Sequence, residues 1–150
     1  TMMGIAPENF VQFCEDNKLF SYGANCGVGP SEMVETILKL KKSQNIDTPL
    51  IAKGNCGIPS YHEGKIVYNG TPAIMSDYAL LAFKAGAKII GGCCGTTPSH
   101  IGAMRVALEQ ASTSGSYSAD EHFKKLGKPW EKTDRSKKRI RRSSLRDKLS

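Results

Sequence analysis

Long apolar runs are missing from this 150-residue chain. A membrane-spanning helix needs about 18 or more consecutive apolar residues, so no membrane span is expected. No secretory leader pattern is present either. Without one, five cysteines point to a reducing, cytoplasmic setting rather than to a disulfide framework. Acidic residues are scarce at one end. From Lys124 to Ser150 there are 12 Lys/Arg against 3 Asp/Glu, a net of +9, whereas residues 1–123 carry 9 and 11, a net of −2. The overall charge of +7 therefore belongs to a tail and not to the globular part. Bulky apolar residues are also rare in that tail, and those beyond Gly127, Trp130, Ile140 and Leu145 among them, cannot bury enough surface to fold alone. Residues 128–150 read as a solvated, disordered basic segment. The run Arg139–Ser144 offers an RNA-binding alternative, which is not favoured. The length limits the chain to one domain.

What is present is a distinctive pair of thiols. Cys93 and Cys94 stand inside Gly91-Gly92-Cys93-Cys94-Gly95-Thr96. Adjacent cysteines sit too close for relaxed disulfide geometry. A glycine-rich turn lets both sulfurs reach one metal ion, because Gly91, Gly92 and Gly95 admit backbone shapes that a Cβ blocks. The run Ala87–Ile90 before them reads as a buried strand, and Thr97-Pro98-Ser99-His100 after them as a helix start. A third thiol has the same setting. A strand over 19–24 leads into Asn25-Cys26-Gly27, and a helix opens near Ser31, a fitting N-cap. Three thiolates suit zinc, and three protein ligands leave a fourth position open, as catalytic sites do. The competing reading is of ordinary buried cysteines.

The remaining pattern alternates helices and strands. Pro7–Asn17 reads as a helix with Phe10, Val11, Phe13 and Cys14 on its apolar side, so Cys14 is expected to be core. Helices are also expected over 31–42, 72–85 and 98–110, with a third strand over 49–53. Met33, Val34, Ile37, Leu38 and Leu40 form the buried face of the second helix. Residues 61–71 read as a loop or small hairpin, and 112–127 as a linker with a short helix near 120–126. This order is that of a parallel α/β fold. Periodicity does not choose between a barrel and a doubly wound sheet.

Gly23-Ala24-Asn25-Cys26 together with Gly91–Thr96 resembles the zinc signature of the homocysteine S-methyltransferase family. Lys53-Gly54-Asn55-Cys56-Gly57-Ile58-Pro59 resembles that family's Pro-Asn-Ala-Gly-x-Pro loop, with Gly54 and Cys56 as departures. Thr1–Gly4 resembles the stretch after a fifth barrel strand. The resemblance spans about 1–111 and implies the C-terminal half of a (β/α)8 barrel, its last three βα units. Such barrels run to about 250 residues, so a missing half-barrel is expected in cis or in trans.

The resemblance further implies a methyltransferase acting on homocysteine to give methionine. Zn²⁺ is held by Cys26, Cys93 and Cys94, and the methyl donor is betaine, S-methylmethionine or methyl-cobalamin. This chain alone is expected to be incomplete and inactive. Asn55 is a candidate fourth ligand in the absence of substrate, against a plain turn role. Asn25 is expected to brace its loop. Cys56 reads as passive, as do His62 and His100. A different class of reading makes the thiols a structural or redox zinc module closed by Cys56. C-terminal extensions in the family serve assembly, so an oligomer anchored through Trp130 is a further expectation.

Overall fold

The computed structural model describes residues 5–111 and 115–129. The expectations for residues 1–4, for 112–114 in the linker and for the tail from Trp130 lie outside the described residues. Helix α1 spans Pro7–Asp16, with Pro in its first turn and Val11 and Cys14 buried. Phe10 packs edge-on against Tyr22, with ring centroids 5.9 Å apart. Phe13, expected on the apolar side, is exposed instead.

Strand β1 covers Tyr22–Asn25, three residues later than the sequence pattern starts it. Residues 17–19 close α1 instead: Lys18 takes φ 52°, and the Leu19 N–H donates to Cys14 O at 3.0 Å. Phe20, which looked like strand, is 84% exposed. Helix α2 is Pro30–Ser43, capped by Gly29 rather than by Ser31. Its buried face is Met33, Val34, Ile37 and Leu40, with Leu38 partly covered. Strand β2 is Leu50–Gly54.

A hairpin follows, β3 at Pro59–His62 and β4 at Lys65–Tyr68. Its turn residues Glu63 and Gly64 both have positive φ, 47° and 81°, the twist that suits a two-residue hairpin loop. Helix α3, Pro72–Lys84, starts at Thr71, whose side chain accepts from Ile74 N–H at 3.2 Å. Strand β5, Ala87–Gly92, runs two residues further than expected and includes the glycine pair. Helix α4 is Pro98–Gln110 and α5 is Ala119–Leu126. No helix among the described residues is long and apolar enough to cross a membrane.

Strands β1, β2 and β5 form one parallel sheet in that order. On one face Tyr22, Leu50, Ala52 and Ala87 are buried, under α2 and α3. Met33, Ile37, Leu50, Met75 and Tyr78 are fully buried there. Each such apolar side chain contributes about 1.5–3 kcal/mol relative to exposure. A register shift beside Leu50 and Ile51 skips Lys88, so that Ile51 pairs with Ile89 on the opposite face. That face holds Ile89, 46% exposed, together with exposed Lys53, so it is mixed rather than uniformly apolar. The register has one consequence for chemistry. Asn25 pairs with Lys53, Lys53 with Gly91, and Gly54 with Gly92, so the three strands end level.

Candidate metal centre

The loops leaving these three level ends carry the thiols. The ladder continues one step beyond the strands: Cys26 N–H donates to Lys53 O and Cys93 N–H to Gly54 O, both at 2.9 Å. Cys26 then adopts φ 62°, a left-handed conformation that is uncommon for a residue with a side chain. Gly27 follows at φ 77°. The Cys26 and Cys94 sulfurs lie 3.6 Å apart although 68 residues separate them. The Cys93 and Cys94 sulfurs lie 3.9 Å apart. All three sulfurs fall within 4.8 Å of one another, and each residue is half-buried.

The glycines act unequally. A Cβ on Gly92 would meet the Thr96 side chain at 2.3 Å. Gly95 has φ 77°, and a Cβ there would meet the Tyr68 ring at 2.5 Å. At Gly91 a Cβ would meet only Lys53 Cγ at 3.6 Å, an ordinary contact, so the blocking expected there is absent.

Asn55 is buried between the two thiol loops. Its Oδ1 accepts from Cys94 N–H at 3.2 Å, and its own N–H donates to Val28 O at 3.4 Å. Asn25, expected to brace its own loop, ends β1 exposed. The brace across the loops is made by Asn55.

The other thiols and histidines stand apart. Cys56 is buried and donates its thiol to Gly70 O at 3.2 Å, outside the three-sulfur group. Cys14 is buried on α1. Burial pushes both thiols up from their ordinary range and keeps them in the unreactive protonated form. His62 is exposed at the end of β3. His100 completes the cap of α4: the Thr97 N–H donates to its Nδ1 at 3.1 Å, and its Nε2 faces Gly70 O at 3.3 Å.

Within the group the sulfurs differ. The backbone N–H of Gly27, then the neighbouring Cys94 and Cys93, hold Cys26 below the usual thiol range. Burial, then its two cysteine neighbours, raise Cys93. Removing a proton from one sulfur thus makes removing the next harder, which is the electrostatic state that a cation relieves.

Two tyrosines at the site carried no signal in the sequence. Tyr78, on α3, accepts from Gly54 N–H at 3.0 Å and donates to Gly91 O at 3.4 Å, tying β2 to β5 directly beneath the thiols. Gly54 supplies a donor that the proline of the resembled loop lacks. Burial drives the Tyr78 phenol far up, so it stays protonated. Tyr68, at the end of β4, lies with its ring against Gly95, and the nearby Cys94 pushes its phenol up. A hydroxyl's aim depends on how the hairpin and α3 dock, which local pattern does not encode.

Comparison with known proteins adds an independent finding. Residues 1–108 match the sequence model of a family described as homocysteine S-methyltransferase. The methionine synthase of Mycobacterium leprae (strain TN) is 36% identical over 92 residues, 60% of this chain and 7% of that protein. The methionine synthase of Mycobacterium tuberculosis (strain ATCC 25618 / H37Rv) is 36% identical over 88 residues, 57% of this chain and 7% of that protein. The match thus covers a small part of each of these much longer relatives.

Proposed function

The chain belongs to the homocysteine S-methyltransferase family, and on that premise we propose that it carries the zinc-thiolate centre at which homocysteine is methylated to methionine. The observation that carries the proposal is the convergence of three sulfurs from two loops. The donor set fits the ion. Four tetrahedral ligands at about 2.3 Å place neighbouring sulfurs about 3.8 Å apart. Two of the three separations, 3.6 and 3.9 Å, bracket that value, and the third is no more than 4.8 Å. Zinc bound here would lower the pKa of an added thiol and leave its sulfur a nucleophile at neutral pH.

The chain's own residues do the rest. Cys26, Cys93 and Cys94 are the ligands. Gly92 and Gly95 let the Cys93–Cys94 turn close. Asn55 fixes Cys94 from the backbone side, and its amide oxygen retains a second lone pair that serves as the fourth ligand until substrate arrives. The groups that recognise the methyl donor and hold the homocysteine amine would lie largely in the remainder of a (β/α)8 barrel, supplied in cis or in trans. The rival reading of a closed structural or redox site with Cys56 as fourth ligand is disfavoured, because the Cys56 thiol is committed to Gly70 O.

Cys94→Ala tests the assignment in the complete enzyme. It should abolish bound zinc and methionine formation while circular dichroism stays unchanged. Wild-type zinc content and activity in that variant would remove Cys94 from the site.

A further inference from the structure

The face of the sheet that turns away from α2 and α3 carries a lysine at its thiol end. Along β2 the residues alternate: Leu50, Ala52 and Gly54 lie buried towards the helices, and Ile51 and Lys53 belong to the other face. The register sorts that second face into rows. Gly23, Ile51 and Ile89 form one row, and Asn25, Lys53 and Gly91 form the next. The thiols begin immediately beyond the second row. Cys26 follows Asn25, with its N–H bonded to Lys53 O at 2.9 Å, and Cys93 comes two residues after Gly91. Lys53 thus stands on the floor of the three-sulfur group.

This charge is unanswered. Lys53 is exposed, and among the described residues its ammonium makes no ion pair. Its stem runs past Gly91, where a Cβ would find only Lys53 Cγ within 4 Å, at 3.6 Å. Its neighbour on β5 therefore has no side chain to cover it, and its neighbour on β1 is exposed Asn25. In a completed barrel this face turns inward onto packed side chains. A lysine enclosed there costs free energy unless an anion meets it. Molecules that react at the sulfurs supply one. Homocysteine is an amino acid, and betaine and S-methylmethionine each carry a carboxylate too.

We propose that Lys53 is a specificity-determining residue that holds the carboxylate of a molecule reacting at the thiol centre. The proposal rests on the metal-centre reading above and names within it the group that reads the anionic end of a substrate. That carboxylate belongs either to the thiol substrate or to the methyl donor, and the two sources give different results in one experiment.

Calorimetric titration of the zinc-loaded complete protein, wild type and Lys53→Met, measures binding without turnover. The variant keeps an unbranched stem and drops the charge. The probes are homocysteine, homocysteine methyl ester, betaine and S-methylmethionine. Wild type should prefer homocysteine to its ester by about tenfold or more, the worth of a hydrogen bond to a charged group. If the thiol substrate is the source, Lys53→Met should bind the two equally. If the donor is the source, that preference persists and the affinity for betaine or S-methylmethionine falls by a similar factor. Lys53→Arg retains the charge and should restore whichever binding is lost. Unchanged affinities for all four probes in Lys53→Met would overturn the proposal and leave the lysine to an acidic side chain elsewhere in the barrel. An equal fall for homocysteine and its ester would also overturn it, since that pattern reports a damaged centre. Zinc content is measured on the same samples. A wild type that holds no zinc, or binds neither thiol, would sink the metal-centre reading. Normal zinc and thiol binding with no response to Lys53→Met would sink the Lys53 assignment alone.

Discussion

Two polar clusters in this molecule have opposite characters. One is the three-sulfur group at the strand ends. The other lies where α5 docks on α2. There His122 is buried, with Nε2 2.9 Å from the Ser31 hydroxyl and Nδ1 2.7 Å from the Tyr117 hydroxyl. Ser31 Oγ donates onward to Gly127 O at 2.7 Å. Ser31 therefore accepts from Nε2–H, and with a neutral ring Tyr117 donates to Nδ1. Every group in this chain of bonds has a partner, and the imidazole is neutral. Around it, Lys84 pairs with Glu121 at 2.8 Å and Lys125 with Asp77 at 2.9 Å. The sulfurs lack such closure, since their nearest partners include one another. A polar cluster that satisfies itself holds the fold together; one that converges without closing is left for a ligand.

Breaking the closed cluster should give the largest effect on stability. His122→Ala leaves the Tyr117 hydroxyl unpaired and opens a cavity, which should cost about 3 kcal/mol in denaturant unfolding. Zinc affinity should stay within twofold. A matching loss of zinc would show that the two regions are one unit.

Asn55→Ala sharpens the other side of the comparison. The loss of a group that orients a metal ligand typically weakens binding roughly 10–100-fold. Competition against a chelator should show that loss with little change in unfolding. Unaltered affinity would reduce Asn55 to a turn residue.

The smallest of the three effects is in pH. Burial holds His122 below its ordinary range, against the opposing influence of Glu35 and Glu32 on α2. The unfolded chain therefore binds the proton first as pH falls below about 6.5. This group has no effect on stability above that pH. Below it stability declines, by at most about 1.4 kcal/mol per pH unit, until the folded imidazole also titrates. His122→Gln should flatten that slope, and an equal slope in the variant would assign it to other groups.

The same contrast explains how much was legible beforehand. Pro30, Pro72 and Pro98 in first turns, and the glycine-marked loops, announce helices and strand ends through local chemistry, so α1–α5 and the three parallel strands could be anticipated. The thiols could be located because each follows a strand and precedes a helix. The β1 boundary was misplaced because Leu19 and Phe20 are apolar yet exposed. Strand β5 ran on through Gly91 and Gly92 because ladder bonds need no side chain. Ser31 looked like a cap, but its hydroxyl serves a histidine 91 residues away. Tyr68, Tyr78 and His122 share that difficulty: their roles exist only once distant segments have packed.

Cys26 carries a consequence for the history of such a site. Its left-handed backbone at φ 62° is one that glycine enters freely and a residue with a Cβ enters at a cost of roughly 1 kcal/mol. A drift to glycine there would relax the chain and discard the sulfur. Position 26 is thus one where selection for a stable fold and selection for chemistry pull in opposite directions, and the cysteine is what remains when chemistry prevails.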